Sequence, residues 1–212
     1  MKLFVCMTPL QTLIVNQIII KEGLDKSNCV FLYIAFSDNT LHRAYYDRLA
    51  ADMFYSEYIT SGRTLKTVFR LRKLLLNKNY DVYVANIDDT LIHYILSFSD
   101  LRNLTTFDDG TANIMPRSPY FLGVKRSFIR GLILKVLHYL LGNRYSLAKI
   151  KDRTNRHYSI YKGYINAVKN PTYISLFDIS KHNTNGKEIN VFLGTVYSEA
   201  TSSAIDSDLL WE

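Results

Sequence analysis

Leu3-Phe-Val-Cys-Met-Thr-Pro-Leu-Gln11 is the stretch that decides the fold. Its first five residues form a short, continuous apolar run, the pattern of a strand buried on both faces. Thr8, Pro9 and Gln11 then open a helix. Thr8 can cap it, Pro9 suits the first helical position, where an N–H would have no partner, and Gln11 completes a capping box. Apolar residues continue through Leu13-Ile-Val15 and Ile18-Ile-Ile20 to Gly23, a residue suited to the left-handed turn that closes a helix. Outward from this unit, apolar runs predict strands at residues 30–36, 81–85 and 104–107. Helical spacing predicts helices at 42–51, 64–76 and 91–97. Strands that alternate with helices at this spacing indicate βαβ units on a parallel, Rossmann-like sheet, an α/β fold. There is no internal repeat and no low-complexity tract.

Composition fits a globular chain of this kind: 212 residues, 48% hydrophobic and 21% charged. Lys and Arg number 26 against 19 Asp and Glu, a net charge of +7, so the expected partner is anionic: a nucleic acid, a phospholipid surface, a nucleotide or an acidic saccharide. Two cysteines, Cys6 and Cys29, are too few for a disulfide framework, and both lie in apolar runs that suit reduced, buried thiols. No uninterrupted apolar run is long enough to span a bilayer, and Thr8-Pro9 cuts the first one too early for a signal peptide. The expectation is a cytoplasmic protein.

The texture changes after Phe107. From Gly110 to Lys151 there is no acidic residue, yet there are eight basic ones: Arg117, Lys125, Arg126, Arg130, Lys135, Arg144, Lys149 and Lys151. Within this tract residues 124–141 are strongly helical, with Phe128, Ile129, Leu132, Ile133, Val136, Leu137 and Leu140 on one face and Arg126, Arg130, Lys135 and His138 on the other. Two readings stand: a helix packed on the core with a solvated basic side, or a basic amphipathic helix lying on anionic lipid. Further on, residues 1–180 read as one lobe and 181–188 as a polar linker. Residues 189–212 read as the start of a second α/β unit, whose first strand ends at Gly194. Only 18 residues follow Gly194, so the chain reads as cut short.

Phe107-Asp-Asp-Gly-Thr111 is the sharpest local feature. Two carboxylates at a strand end lie at the carboxyl edge of the sheet, where open α/β folds bind ligands. Asp108 and Asp109 would there act as a base or bind sugar hydroxyls. The plainer reading is a turn, with Asp108 as its cap and Asp109-Gly110 as a turn pair. Asp88-Asp89 occupies a similar edge, with Asp89 placed to cap the helix after it. Gly-rich dinucleotide loops, P-loops, zinc-ligand spacing and a Gly-x-Ser-x-Gly elbow are all missing. Aromatic residues are abundant but scattered, so no nucleic-acid motif supports that class.

The chain resembles the bacterial sialyltransferases of glycosyltransferase family 52. The likeness is carried by Cys6-Met-Thr-Pro-Leu-Gln11, by Phe107-Asp-Asp-Gly-Thr-Ala-Asn113, by His157-Tyr-Ser-Ile-Tyr-Lys-Gly163, and by Tyr173-Ile-Ser-Leu-Phe-Asp178 before Val191-Phe-Leu-Gly194. The resemblance implies a GT-B-like pair of Rossmann-type lobes, of which this chain would hold the first and the start of the second. It implies inverting, metal-independent transfer of sialic acid from CMP-sialic acid to a galactose-terminated lipooligosaccharide or capsular glycan, with no cofactor. Acceptor contacts are expected at Thr8, Gln11, Asn113 and Lys162, with Asp108 and Asp109 as catalytic candidates. Nucleotide contacts are expected at Gly194 and Thr195. The family's catalytic Asp position falls on Tyr197 here, which leaves Glu199 as the candidate base, and the family's His-Pro segment would lie past residue 212. The resemblance therefore also implies no transfer by this chain alone, and it implies a homodimer; the basic amphipathic helix adds the expectation of a peripheral place on the inner face of the bacterial inner membrane. A second class is a non-catalytic basic module that binds a membrane surface or saccharide.

Overall fold

Seven strands form one sheet in the order β3-β2-β1-β4-β5-β6-β7, and every neighbouring pair is parallel. They are β1 (Lys2–Cys6), β2 (Cys29–Ala35), β3 (Tyr55–Thr60), β4 (Asn79–Val84), β5 (Asp100–Phe107), β6 (Arg156–Ser159) and β7 (Pro171–Tyr173). The helices are α1 (Pro9–Glu22), α2 (Thr40–Ala50), α3 (Leu65–Leu75), α4 (Thr90–Phe98), α5 (Pro119–Leu122), α6 (Phe128–Leu140) and α7 (Leu147–Arg153). This computed structural model describes residues 1–60, 64–123 and 128–176, side chains of 128–131 excepted. They belong to the unit Met1–Phe177. The linker at 181–188, the strand at 189–194, and Gly194, Thr195 and Glu199 lie outside the described residues.

The opening stretch behaves as its sequence dictates. Thr8 is extended and its hydroxyl accepts from the Gln11 N–H at 3.4 Å, Pro9 sits in the first turn, and Gly23 closes α1 at φ 58°. One detail differs. The Gln11 carbonyl Oε1 reaches past the cap residue to the Met7 N–H at 2.6 Å, so its amide NH2 is left pointing toward the sheet edge.

Alternation along the strands builds two cores. Phe4, Phe31, Tyr33, Tyr83, Phe107 and Tyr158 face α1 and α2 with Ile14, Val15, Ile18 and Leu49. Leu3, Val5, Leu32, Ile34, Val82 and Leu104 face α3 and α4 with Val68, Leu71, Leu91 and Ile95. A parallel sheet covered on both faces needs apolar residues at consecutive positions, which is why β1, β2 and β4 read as unbroken runs. Both cysteines are buried free thiols. The sequence gives no warning of β3, β6 and β7. Apart from Ile59, β3 is half-buried or exposed at the sheet edge, β6 carries His157 and Ser159 inward, and β7 has three residues.

Helix α6 corrects the core-packed reading. Leu132, Ile133, Val136, Leu137 and Leu140 are exposed, Leu140 by 76%. The helix meets the body through its polar side, where His138 Nδ1 lies 2.8 Å from the Tyr94 hydroxyl.

Candidate functional site

The chain runs from β1 outward to β2 and β3, then returns to the other side of β1 for β4 to β7. The carboxyl ends of β1 and β4 therefore flank a topological switch point, the crevice where open α/β sheets bind ligands. Turns after β1, β4 and β5 converge there. They deliver Thr8 and Gln11, then Asn86, Asp88 and Asp89, then Asp108 and Asp109.

Asp109 is the centre of this edge. Gln11 Nε2 donates to its Oδ1 at 2.6 Å, and the Tyr120 hydroxyl from α5 lies 3.5 Å from Oδ2. The Asn86 amide, turned so that its nitrogen faces the carboxylate, donates to both Asp109 oxygens at 2.5 Å. Asn86 is held in the left-handed region at φ 46°, where the short polar side chain of Asn is tolerated. Burial pushes the Asp109 carboxyl above its ordinary range, with the charge of Asp88 adding to the rise and the Gln11 hydrogen bond opposing it. Burial likewise raises the Tyr120 phenol, with Asp109 and Asp88 contributing, so it stays a hydrogen-bond donor at neutral pH.

Asp108 has a different environment. It is fully buried and accepts four hydrogen bonds. On Oδ1 these come from His157 Nε2 at 3.0 Å and the Asn166 amide at 3.2 Å. On Oδ2 they come from the Ser159 hydroxyl at 2.7 Å and the Ile160 N–H at 2.8 Å. His157 Nδ1 in turn lies 2.9 Å from the Thr106 hydroxyl. Every lone pair of the carboxylate is thus taken by this chain, and the carboxylate ties the segment after β6 to the end of β5.

The other expected residues divide similarly. Thr8 caps α1 and is half-buried. Gln11, 1% exposed, bridges the Met7 backbone to Asp109 instead of facing solvent. Asn113, also 1% exposed, accepts from the Asp109 N–H through Oδ1 at 2.9 Å and from the Ala167 N–H through its carbonyl at 2.8 Å. Lys162 is exposed on the turn after β6, with Nζ 5.9 Å from the Tyr173 ring centroid. Asp89 caps α4 as its sequence position suggests, accepting from the Leu91 N–H at 2.7 Å. Asn86 and Tyr120 have no spacing signal in the sequence and emerge only with the fold. Among the described residues no three His, Cys, Asp or Glu side chains are grouped to hold a metal ion.

Charge gives the edge its chemistry. Carboxylates and amides line it, and the turn after β1 has no glycine to let backbone N–H groups cradle a phosphate. Such an edge suits sugar hydroxyls, which both donate and accept, better than a phosphate.

Fold and site together define a Rossmann-like α/β lobe with a polar, anionic switch-point edge. The sequence profile of glycosyltransferase family 52 matches residues 28–207, and the chain belongs to that family. A CMP-N-acetylneuraminate:beta-galactoside alpha-2,3-sialyltransferase of Pasteurella multocida (strain Pm70) is 36% identical over 201 residues, covering 92% of this chain and 63% of its own length. An N-acetyllactosaminide alpha-2,3-sialyltransferase of Haemophilus influenzae is 30% identical over 203 residues, covering 92% of this chain and 64% of its own. A protein of the same name from Neisseria meningitidis serogroup A is 30% identical over 133 residues. The chain thus spans less than two thirds of these relatives.

Proposed function

We propose that this chain is the acceptor-side lobe of a sialyltransferase, and that its switch-point edge binds the terminal galactose of a glycan acceptor. The observation that carries the reading is the position of Asp109, held by Gln11, Asn86 and Tyr120 at the carboxyl ends of β1, β4 and β5. Membership of the family and the names of the relatives support the donor as CMP-sialic acid. In the reaction a galactose hydroxyl oxygen attacks the anomeric carbon of sialic acid, the bond from that carbon to the CMP phosphate oxygen breaks, and configuration inverts. Glu199 is the proposed acceptor of the hydroxyl proton, and Gly194 and Thr195 are the proposed contacts of the nucleotide. No metal ion is invoked. Asp109 orients the acceptor, Asp108 holds the segment after β6 to the end of β5, and Lys162 on that segment is the proposed further acceptor contact.

N-acetyllactosamine is the probe for this reading. Saturation-transfer NMR with the purified chain is expected to show contact at the galactose ring, and Asp109→Asn is expected to weaken it. Galactose contact that survives both Asp109→Asn and Gln11→Leu would remove the assignment of this edge.

The exposed apolar face of α6, set in a tract without acidic residues, favours a second role for the same chain: resting on an anionic membrane surface. No helix of the described residues is long and apolar enough to cross a membrane. Sedimentation with phosphatidylglycerol vesicles, lost at high salt and absent with phosphatidylcholine, is the expected result. A salt-insensitive dimer of the lipid-free chain would instead assign the face to a second copy.

A further inference from the structure

A groove of about 890 Å³ begins at the switch-point edge and runs along α4, α5, α6 and α7. Asp88, Thr90 and Tyr120 line it at the edge, and Lys135, Arg144 and Lys151 line it farther along. We propose that this groove binds a phosphate-bearing stem of the acceptor, so that the glycan is anionic behind a neutral, galactose-terminated end. The proposal rests on the acceptor-side reading above and extends it to the class of acceptor.

The polarity of the groove is the first argument. Among the described residues, none of Lys135, Arg144 and Lys151 forms an ion pair with a carboxylate. The tract that supplies them has no acid from Gly110 to Lys151, and among the described residues Asp88 is the one carboxylate in the groove lining. Arg144 is oriented without being neutralised: its guanidinium lies 4.2 Å from the Tyr139 ring centroid and donates to the Tyr139 carbonyl at 3.0 Å. A planar guanidinium and two ammonium groups that line one groove suit phosphate oxygens, which take charge-assisted hydrogen bonds from both kinds of group.

Continuity is the second. Tyr120 joins the two ends, since its hydroxyl meets Asp109 while its carbonyl accepts from Lys151 Nζ at 3.0 Å. An uncharged sugar fits the carboxylate end, where a phosphate would be repelled by Asp88 and Asp109. A phosphate fits the other. One linear ligand with a neutral tip and an anionic stem satisfies both, and the volume falls within the usual range for ligand sites.

Two lactose-terminated oligosaccharides, identical except for phosphomonoesters on the inner sugars, test the proposal by fluorescence titration of the full chain. The phosphorylated probe is expected to bind about tenfold more tightly, the gain of one or two charge-assisted contacts, with the advantage falling as salt rises. Combining Lys135→Gln with Arg144→Gln should bring that probe down to the affinity of the neutral one, while Arg144→Lys alone keeps part of the difference. Equal affinity of the two probes overturns the anionic-stem proposal and leaves the acceptor site standing. Displacement of the phosphorylated probe by CMP at equal concentration assigns the groove to a nucleotide and also overturns it. Binding of neither probe sinks the acceptor-side reading itself.

Discussion

Asp108→Asn is the perturbation that separates the two adjacent carboxylates. The substitution keeps the side chain's size but turns one acceptor oxygen into an NH2 inside a fully buried site. In one orientation that NH2 faces the Ile160 N–H and the Ser159 hydroxyl, and in the other it faces His157 Nε2 and the Asn166 amide. Ser159 and His157 can adapt, the first by rotating its hydroxyl and the second by changing tautomer. Ile160 and Asn166 cannot. At least one donor is therefore stranded at about 1–3 kcal/mol, and the remaining bonds lose their charge assistance at roughly 1 kcal/mol or more. The expected loss is about 3–4 kcal/mol, comparable to breaking a buried ion pair. For a chain of this size that lowers Tm by roughly 6–16 °C. Circular dichroism melts of parent, Asp108→Asn and Asp109→Asn measure it, with Asp109→Asn expected to cost less than about 1 kcal/mol because that carboxylate is only partly buried. A melt of Asp108→Asn within 2 °C of the parent, or a larger loss for Asp109→Asn, would refute this division of roles.

The raised Asp109 pKa fixes the sign of a pH effect. The folded chain holds that proton at higher pH than the unfolded chain, whose Asp titrates near about 4. The cost of the buried charge is thus absent below roughly pH 4 and grows as pH rises through the folded value. Urea midpoints should show Asp109→Asn gaining on the parent as pH rises above roughly 4, and a constant difference would contradict the burial argument. Gly23→Ala places a Cβ in open space but at φ 58°, so it should cost about 1–2 kcal/mol through backbone strain alone, read as a Tm shift. Leu71→Ala, at a fully buried position between α3 and the sheet, should cost about 2–5 kcal/mol in the same melts. Ile133→Asp with Leu140→Asp alters exposed positions of α6, so vesicle sedimentation should fall while Tm holds; a collapse in Tm would mean that the face is packed after all.

The central strands were legible because burial on both faces leaves a local mark. Leu3 to Met7, Val30 to Ala35 and Val82 to Ala85 are unbroken apolar runs, and Thr8, Pro9 and Gly23 punctuate α1 where the structure does. Strands β6 and β7 left no such mark, because two of the three buried side chains of β6, His157 and Ser159, are polar and β7 has only three residues. The pairing Thr106 to His157 and Phe107 to Tyr158 joins residues far apart in the chain, and nothing in either segment alone announces the other. The same distance explains how Asp108 and Asp109 looked alike in sequence. Register sets them apart. The end of β6 and the turn after it bring His157, Ser159, Ile160 and Asn166 to Asp108, consuming its charge within the protein. Asp109, one residue on, is met by Gln11, Asn86 and Tyr120 from α1, the turn after β4, and α5. Those groups surround it without burying it completely, and burial pushes its carboxyl above the ordinary range. A carboxylate that stays partly exposed at a switch point can still meet a ligand, whereas its neighbour is sealed inside the protein. The pair is therefore one anchor and one contact, and the edge owes its shape to the first and its chemistry to the second.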